Sequence, residues 1–430
     1  MRVLVTTSAV NSHLNNLVPM AWALRTAGHE VCVASQPSIA DAIKHSGLTA
    51  VSVGDGLAAP RGGTEETDSP FGLGYDIAET DPARLTPDRV RATLAAYTSV
   101  VSEYMADGTM LKDLVRFART WRPDLVLWDA HNYAAPVMAR AVGAAHVRIL
   151  PAPDHWARMR AHQLALAAEH SPAPAGPADD PMAAYLAGKL ESVGLDPATF
   201  AEDLVVGQAT IDPLPDWLGH PLDLDHRPVR HIPYTGPTVV PAWLRKEPKR
   251  RRVCLTLGQT RRSLGVTGTA GGEEITAADV LRHVADLDVE VVATLSADQL
   301  PPGTRIPDNV RLFDYVPLDA LLPSCAAIVH YGGMGTVAAS VVHGVPQLGI
   351  PGNIWGEAGV MRALEEQGAG LVGDPTGLVD QLARLLDDPA YAEGAAKARD
   401  AMLSRPSPRD LVPGLEELTA RHRDSGDLNG

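Results

Sequence analysis

Phenylalanine is nearly missing from this chain of 430 residues: it has 4, and aromatic residues together make up 5%. An aliphatic core is therefore expected. Cysteine is equally scarce. Cys32, Cys254 and Cys325 stand inside or beside apolar runs, with no CxxC or other metal-ligand spacing. They read as buried thiols in a reducing compartment. No apolar stretch reaches about 18 residues, which excludes a membrane-spanning helix. A strand-like run begins at residue 2 and leaves no room for a signal peptide, so a cytoplasmic location is expected.

Basic stripes are lacking too. The formal net charge is -15, and the one basic run, residues 246–252, precedes a strongly apolar strand and reads as a solvated linker. This excludes nucleic acid and anionic membranes as partners, and any phosphate ligand must be held by local geometry. Also missing is the glycine fingerprint of a dinucleotide-dependent dehydrogenase. The first strand leads instead into Thr6-Thr7-Ser8-Ala9-Val10-Asn11.

What the chain does have is length for two cores, since single cores stop growing near about 250 to 300 residues. Hydrophobic residues at 45% and charged residues at 21% are ordinary for a globular protein. Short β-branched runs alternate with helix-period segments in both halves, the pattern of α/β domains with parallel sheets. In the first half the strands fall at residues 3–7, 30–34, 124–128 and 145–150. The first is followed by a helix bearing Leu17, Met20, Ala21 and Leu24, with Pro19 in its first turn and Gly28 as its stop. In the second half they fall at 253–257, 289–295, 310–315, 327–330, 347–350 and 369–372, with helices at 277–285, 318–325 and 359–367. Residues 54–86 and 171–180, rich in Gly, Pro, Ala and acids, read as mobile loops. No internal repeat is found beyond the shared βαβ rhythm.

The strongest chemical signal is Val329-His330-Tyr331-Gly332-Gly333-Met334-Gly335-Thr336, a strand running into a glycine-rich turn and a helix at 337–343. Such a turn brings backbone amides and a helix dipole to an anion. A tight turn without a ligand explains the bare spacing as well. His13 is a candidate general base in the loop after the first strand, suited to take a proton near neutral pH. An ordinary hydrogen-bonded loop histidine is the alternative. Asp129, just after its strand, either orients that imidazole or caps the next helix. The Asp-x-Asp pairs at 223–225 and 286–288 read as surface polar residues, so no metal site is expected.

Together these motifs resemble the donor site of family 1 glycosyltransferases of GT-B fold. The segment from His330 to Thr336, followed by His343-Gly344-Val345-Pro346-Gln347, resembles their diphosphate motif, and Asp314-Tyr315-Val316-Pro317-Leu318 the segment framing the nucleoside base. The stretch from Ser12-His13-Leu14 to Pro19-Met20-Ala21-Trp22-Ala23-Leu24-Arg25 is similar to the antibiotic deoxysugar branch, which includes the erythromycin desosaminyltransferase and the anthracycline aminosugar transferases. The resemblance implies two Rossmann-like domains with parallel sheets facing across a cleft. They would comprise an acceptor domain at 1–235, a linker at 236–250, a donor domain at 251–408, and a terminal helix at 409–430 crossing back to the first domain.

The implied reaction moves a deoxysugar from a TDP-sugar to a hydrophobic polyketide-type aglycone. It would proceed with inversion, because one base and no second nucleophile are in evidence. His13 would be the base and Asp129 its partner. Gly258, Thr260, His330, Gly332, Gly333, Met334, Gly335, Thr336 and Glu357 would hold the donor, with Val316 and Leu318 along the base. His131 and Asp154 would line the acceptor pocket. No cofactor is implied beyond the TDP-sugar co-substrate. Implied partners are a cytochrome-P450-like auxiliary protein and, as one arrangement, a second copy of the chain.

Two departures stand out. Tyr331 occupies a position where many relatives have a second histidine, and Gly356-Glu357 follows Trp355 where an acid usually contacts the donor sugar. A nucleotide-sugar epimerase of the same fold and a non-catalytic nucleotide-sugar-binding subunit remain as alternatives.

Overall fold

The computed structural model describes residues 1–57, 74–170, 180–258, 276–295, 299–352, 355–374 and 376–427. Thr260 and most of the two segments read as mobile loops lie outside the described residues. The chain divides into two compact units. The first comprises residues 1–214, 219–229 and 406–430; the second comprises 215–218 and 230–405.

The first unit is built on a seven-stranded parallel sheet: β1 Arg2–Thr6, β2 Glu30–Ser35, β3 Thr49–Ser52, β4 Leu125–Asp129, β5 Ala145–Ile149, β6 Thr210–Asp212 and β7 His226–Pro228. Its order is β3-β2-β1-β4-β5-β6-β7. The second unit carries six parallel strands: β8 Arg252–Thr256, β9 Glu290–Thr294, β10 Val310–Phe313, β11 Ala327–His330, β12 Gln347–Gly349 and β13 Gly370–Val372, in the order β10-β9-β8-β11-β12-β13. Both are doubly wound α/β sheets. In each, the strand order reverses beside the first strand, between β1 and β4 and between β8 and β11. Ligands of such sheets collect outside the strand carboxyl ends at that reversal.

The helices that matter for function are α1 Asn11–Thr26, α2 Ala134–Val142, α3 His155–His170, α4 Ala277–His283, α5 Met334–His343, α6 Glu357–Glu366 and α7 Pro408–Asp427. The α1 helix buries Leu14, Leu17, Val18, Met20, Ala21 and Leu24 and ends two residues before Gly28, whose φ is +94°. It begins earlier than its apolar stripe suggests, because residues 11–16 contain no breaker. Two expectations change with it: Pro19 lies inside the helix, not in its first turn, and His13 is a helical residue, not a loop residue. A proline there costs about 3 kcal/mol or more, because it removes an i to i−4 hydrogen bond.

The α7 helix packs on α1 and β5, with His29 Nε2 3.1 Å from a Glu416 carboxylate oxygen. Residues 236–250 fall in the second unit, where Leu244 joins the cluster of Cys254, Val292 and Ile328. Cys32 and Cys254 are buried and Cys325 is half-buried, all as free thiols. Among the described residues no helix is long and apolar enough to cross a membrane.

Candidate active site

In the first unit, chemistry is assembled by register. The parallel pairing of β1 with β4 sets Thr6 opposite Trp128, so the chain leaves both strands at the same edge with Thr7 beside Asp129. The α1 helix starts four residues beyond Thr7 and returns His13 over that edge. His13 Nδ1 lies 2.5 Å from Asp129 Oδ2, which also accepts the Thr7 hydroxyl at 3.3 Å. The other oxygen, Oδ1, accepts the His131 N–H at 3.0 Å. Asp129 does not cap α2, whose N-cap is Tyr133 and has no side-chain hydrogen bond.

Electrostatics follow from that arrangement. Burial disfavours a charged imidazole at His13, but the charge and hydrogen bond of Asp129 outweigh it, and the His13 pKa is raised. Burial likewise works against the Asp129 carboxylate, yet His13 and the His131 N–H hold its pKa down at about 2. His131 is desolvated with less compensation from Asp129, and its pKa falls to about 4. A charged carboxylate thus backs one proton-accepting imidazole, with a neutral one beside it. Their ring centroids are 5.4 Å apart.

Asp154 lies past the end of β5, almost wholly buried. Its Oδ1 accepts from Arg148 Nη1 at 3.2 Å and from the Ala157 N–H at 3.2 Å, which caps α3. Its Oδ2 accepts from Arg148 Nη2. Arg148 in turn bonds Thr210. The carboxylate is thereby committed to structure.

In the second unit the glycine turn sits at the reversal between β8 and β11. His330 ends β11, flanked by Thr256 of β8 and Gly349 of β12. Both its ring nitrogens are engaged internally: Nε2 with Gln347 Oε1 at 2.9 Å, and Nδ1 as acceptor from the Gly332 N–H at 2.9 Å. Burial lowers its pKa to about 4. The ring therefore fixes the turn, and its one N–H points to Gln347.

Gly332 has φ +84°, and a Cβ there would stand 3.2 Å from Glu357 Cβ. Gly333 caps α5, which begins at Met334, three residues earlier than expected. Thr336 N–H returns to the Gly333 carbonyl. Among the described residues the amides of Gly333, Met334 and Gly335 have no acceptor in the protein, which is the usual state of a helix N-terminus and one that suits an anion. Gly332→Ala is expected to cost roughly 1 to 2 kcal/mol in backbone strain alone. It should also weaken nucleotide diphosphate binding in calorimetry, while thermal melts show a folded chain.

The remaining expected donor residues occupy several settings. Gly258 follows β8 with φ +75°. Val316 is buried in the core cluster beside Ile328 and Ala339, with Leu318 packed against it. Glu357 opens α6, nearly buried, and its Oε2 accepts the Gly352 N–H at 3.0 Å. Tyr331, at the variant histidine position, packs into the core beside Leu348. Thr260 is outside the described residues. Of the two Asp-x-Asp pairs, Asp225 is bridged to Arg227 and Asp288 to Arg250.

Sequence reasoning gave no side-chain role to Thr7, Arg148 or Gln347. The signal for Arg148 was present: a charged residue inside an apolar strand requires a buried partner. Thr7 carries no local signal and Gln347 none beyond its place in the diphosphate motif, and their contacts with Asp129 and His330 emerge only from strand register.

Comparisons with known proteins bear on the fold and the family. The chain is 44% identical to the glycosyltransferase VinC, solved in complex with DTDP, with a TM-score of 0.85 over 98% of this chain and 100% of that one. Aclacinomycin-T 2-deoxy-L-fucose transferase of Streptomyces galilaeus is 43% identical, covering 98% of this chain and 97% of that protein. The 10-deoxymethynolide desosaminyltransferase of Streptomyces venezuelae is 42% identical over 98% of each. Fold and relatives thus define a glycosyltransferase of GT-B class. Within that class the chain belongs to the family described as Erythromycin biosynthesis protein CIII-like, whose N-terminal domain matches residues 22–258 and whose C-terminal domain matches 278–418.

Proposed function

We propose that the chain transfers a deoxysugar from a thymidine diphosphate donor to a hydroxyl of a polyketide-type aglycone, with inversion and with His13 as general base. The observation that carries this reading is the His13–Asp129 contact at the β1/β4 reversal. The names of the relatives supply the substrate classes, a deoxysugar on one side and a polyketide-derived acceptor on the other.

The acceptor oxygen attacks the anomeric carbon as the bond from that carbon to the diphosphate oxygen breaks. The acceptor proton passes to His13 Nε2, while Nδ1–H stays on Asp129, which steadies the imidazolium. Negative charge grows on the departing diphosphate, where the amides of Gly333, Met334 and Gly335 and the Thr336 hydroxyl stabilise it more in the transition state than in the ground state. No catalytic metal or cofactor is called for. His330 and Gly332 hold the turn, Glu357 sits behind it, and Gly258, Thr260, Val316 and Leu318 serve the nucleoside side. His131 borders the acceptor, with Asp154 behind it. The reading extends to a cytoplasmic enzyme with a cytochrome-P450-like auxiliary partner and self-association.

The test is to mix the protein with a TDP-deoxysugar and a polyketide aglycone, with and without such an auxiliary protein, and to seek the glycoside by mass. Bare hydrolysis, an epimerised donor, or nucleotide binding without any turnover would overturn the reading. One candidate base and direct displacement lead to inverted configuration at the anomeric carbon, read from the proton coupling of the product in NMR. Retention would exclude a single displacement.

A further inference from the structure

Asp129 lies between two imidazoles, and the three side chains approach chelating distance. His13 Nδ1 is 2.5 Å from one carboxylate oxygen and His131 Nδ1 is 4.0 Å from the other. One ligand atom from each residue falls within 4.8 Å of the other two, and among the described residues no other trio of His, Cys, Asp or Glu does so. The carboxylate is oriented from behind by the Thr7 hydroxyl and the His131 N–H, the kind of outer support that preorganises a metal ligand. The set is open on one side: the His13 and His131 side chains are 17% and 16% exposed, against 2% for Asp129.

We propose that His13, Asp129 and His131 chelate a borderline divalent transition-metal ion, with Zn2+ the preferred occupant, and that occupancy reversibly shuts off transfer. Two imidazole nitrogens with one carboxylate oxygen suit Zn2+, Cu2+, Ni2+ or Co2+, and do not suit Mg2+ or Ca2+. At bond lengths of about 2.0 to 2.2 Å, tetrahedral ligand atoms stand roughly 3.3 Å apart. An ion therefore opens the His13 contact and draws His131 inward, changes within reach of side-chain rotation. It takes the place of the proton shared by His13 Nδ1 and Asp129, and its fourth position is left to water. The inhibition rests on the transferase reading, because an imidazole bound to a cation at Nδ1 is a poorer proton acceptor at Nε2. The chelation does not.

The full-length, metal-free protein is titrated with Co2+, followed by its visible d–d absorption, and with Zn2+ in a calorimeter, without substrates. One equivalent should bind, Mg2+ should give no signal, and His131→Gln and His13→Gln should each weaken affinity by at least about tenfold. In the transfer assay Zn2+ should suppress turnover in step with occupancy, and EDTA should restore it. No binding by the wild-type chain, unchanged affinity in both variants, or full turnover in the loaded enzyme would each overturn the proposal. Binding at these residues in a chain that never forms a glycoside would support the chelating site and overturn the transferase reading instead. Circular dichroism confirms that the variants are folded, and the wild-type titration decides by itself if they are not.

Discussion

His13→Ala is expected to lower turnover by about 10²- to 10⁴-fold, the usual worth of a general base, which is about 3 to 5 kcal/mol of activation free energy. In the proposed role the drop belongs to kcat, because a general base acts on a proton that moves only as the new bond forms. Donor binding, assigned in the proposed mechanism to the amides of Gly333, Met334 and Gly335, should be unchanged in calorimetry with thymidine diphosphate. Near-normal turnover would remove His13 from the mechanism. A loss of nucleotide affinity would mean that the substitution had disturbed the fold.

Asp154→Ala should have the largest effect on stability. It strands the Arg148 guanidinium in the interior, where Arg148 is wholly buried and, among the described residues, keeps only Thr210 as a side-chain partner. Breaking a buried ion pair from one side costs about 3 to 5 kcal/mol, and the lost cap on α3 adds roughly 1 kcal/mol. A typical domain has about 5 to 15 kcal/mol to lose. Denaturant unfolding followed by tryptophan fluorescence should show a first unit close to its limit, since Trp128 and Trp156 are buried there. Replacing both partners, as in Arg148→Met with Asp154→Leu, should recover most of the loss, because no charge is then left unpaired. A single variant as stable as the wild type would show that water reaches Arg148.

Much of the fold was legible before any coordinates. Central strands buried on both faces need near-continuous apolar runs, and β1, β4, β8, β9 and β11 announce themselves that way, while β2, β5, β10, β12 and β13 are marked by shorter apolar runs that follow glycine or proline. Three strands do not. The β3 strand at one edge is half-exposed, β7 at the other ends on a proline, and β6 is three residues long. Edge position and brevity remove the periodic signal that burial imposes.

For the candidate site, the glycine turn and the two dyad residues were readable because a strand end and a helix start are marked locally. The partners that give those residues their character were not. Thr7 on Asp129, Gln347 on His330 and Arg148 on Asp154 are all contacts between adjacent parallel strands or across a strand end, set by register and not by sequence spacing.

The central claim is that neutral His13, aligned by Asp129, takes the acceptor proton. Its most direct test is the pH dependence of kcat/KM for the wild type and for Asp129→Asn, in buffer containing a chelator. A base must be deprotonated to act, and the His13 pKa is raised by Asp129. Wild-type activity should therefore fall as pH drops through a value above the ordinary imidazole pKa of about 6.5. In Asp129→Asn that charge is gone and desolvation remains, so the inflection should move to lower pH while the plateau rate falls. An inflection that stays in place in the variant would contradict the claim.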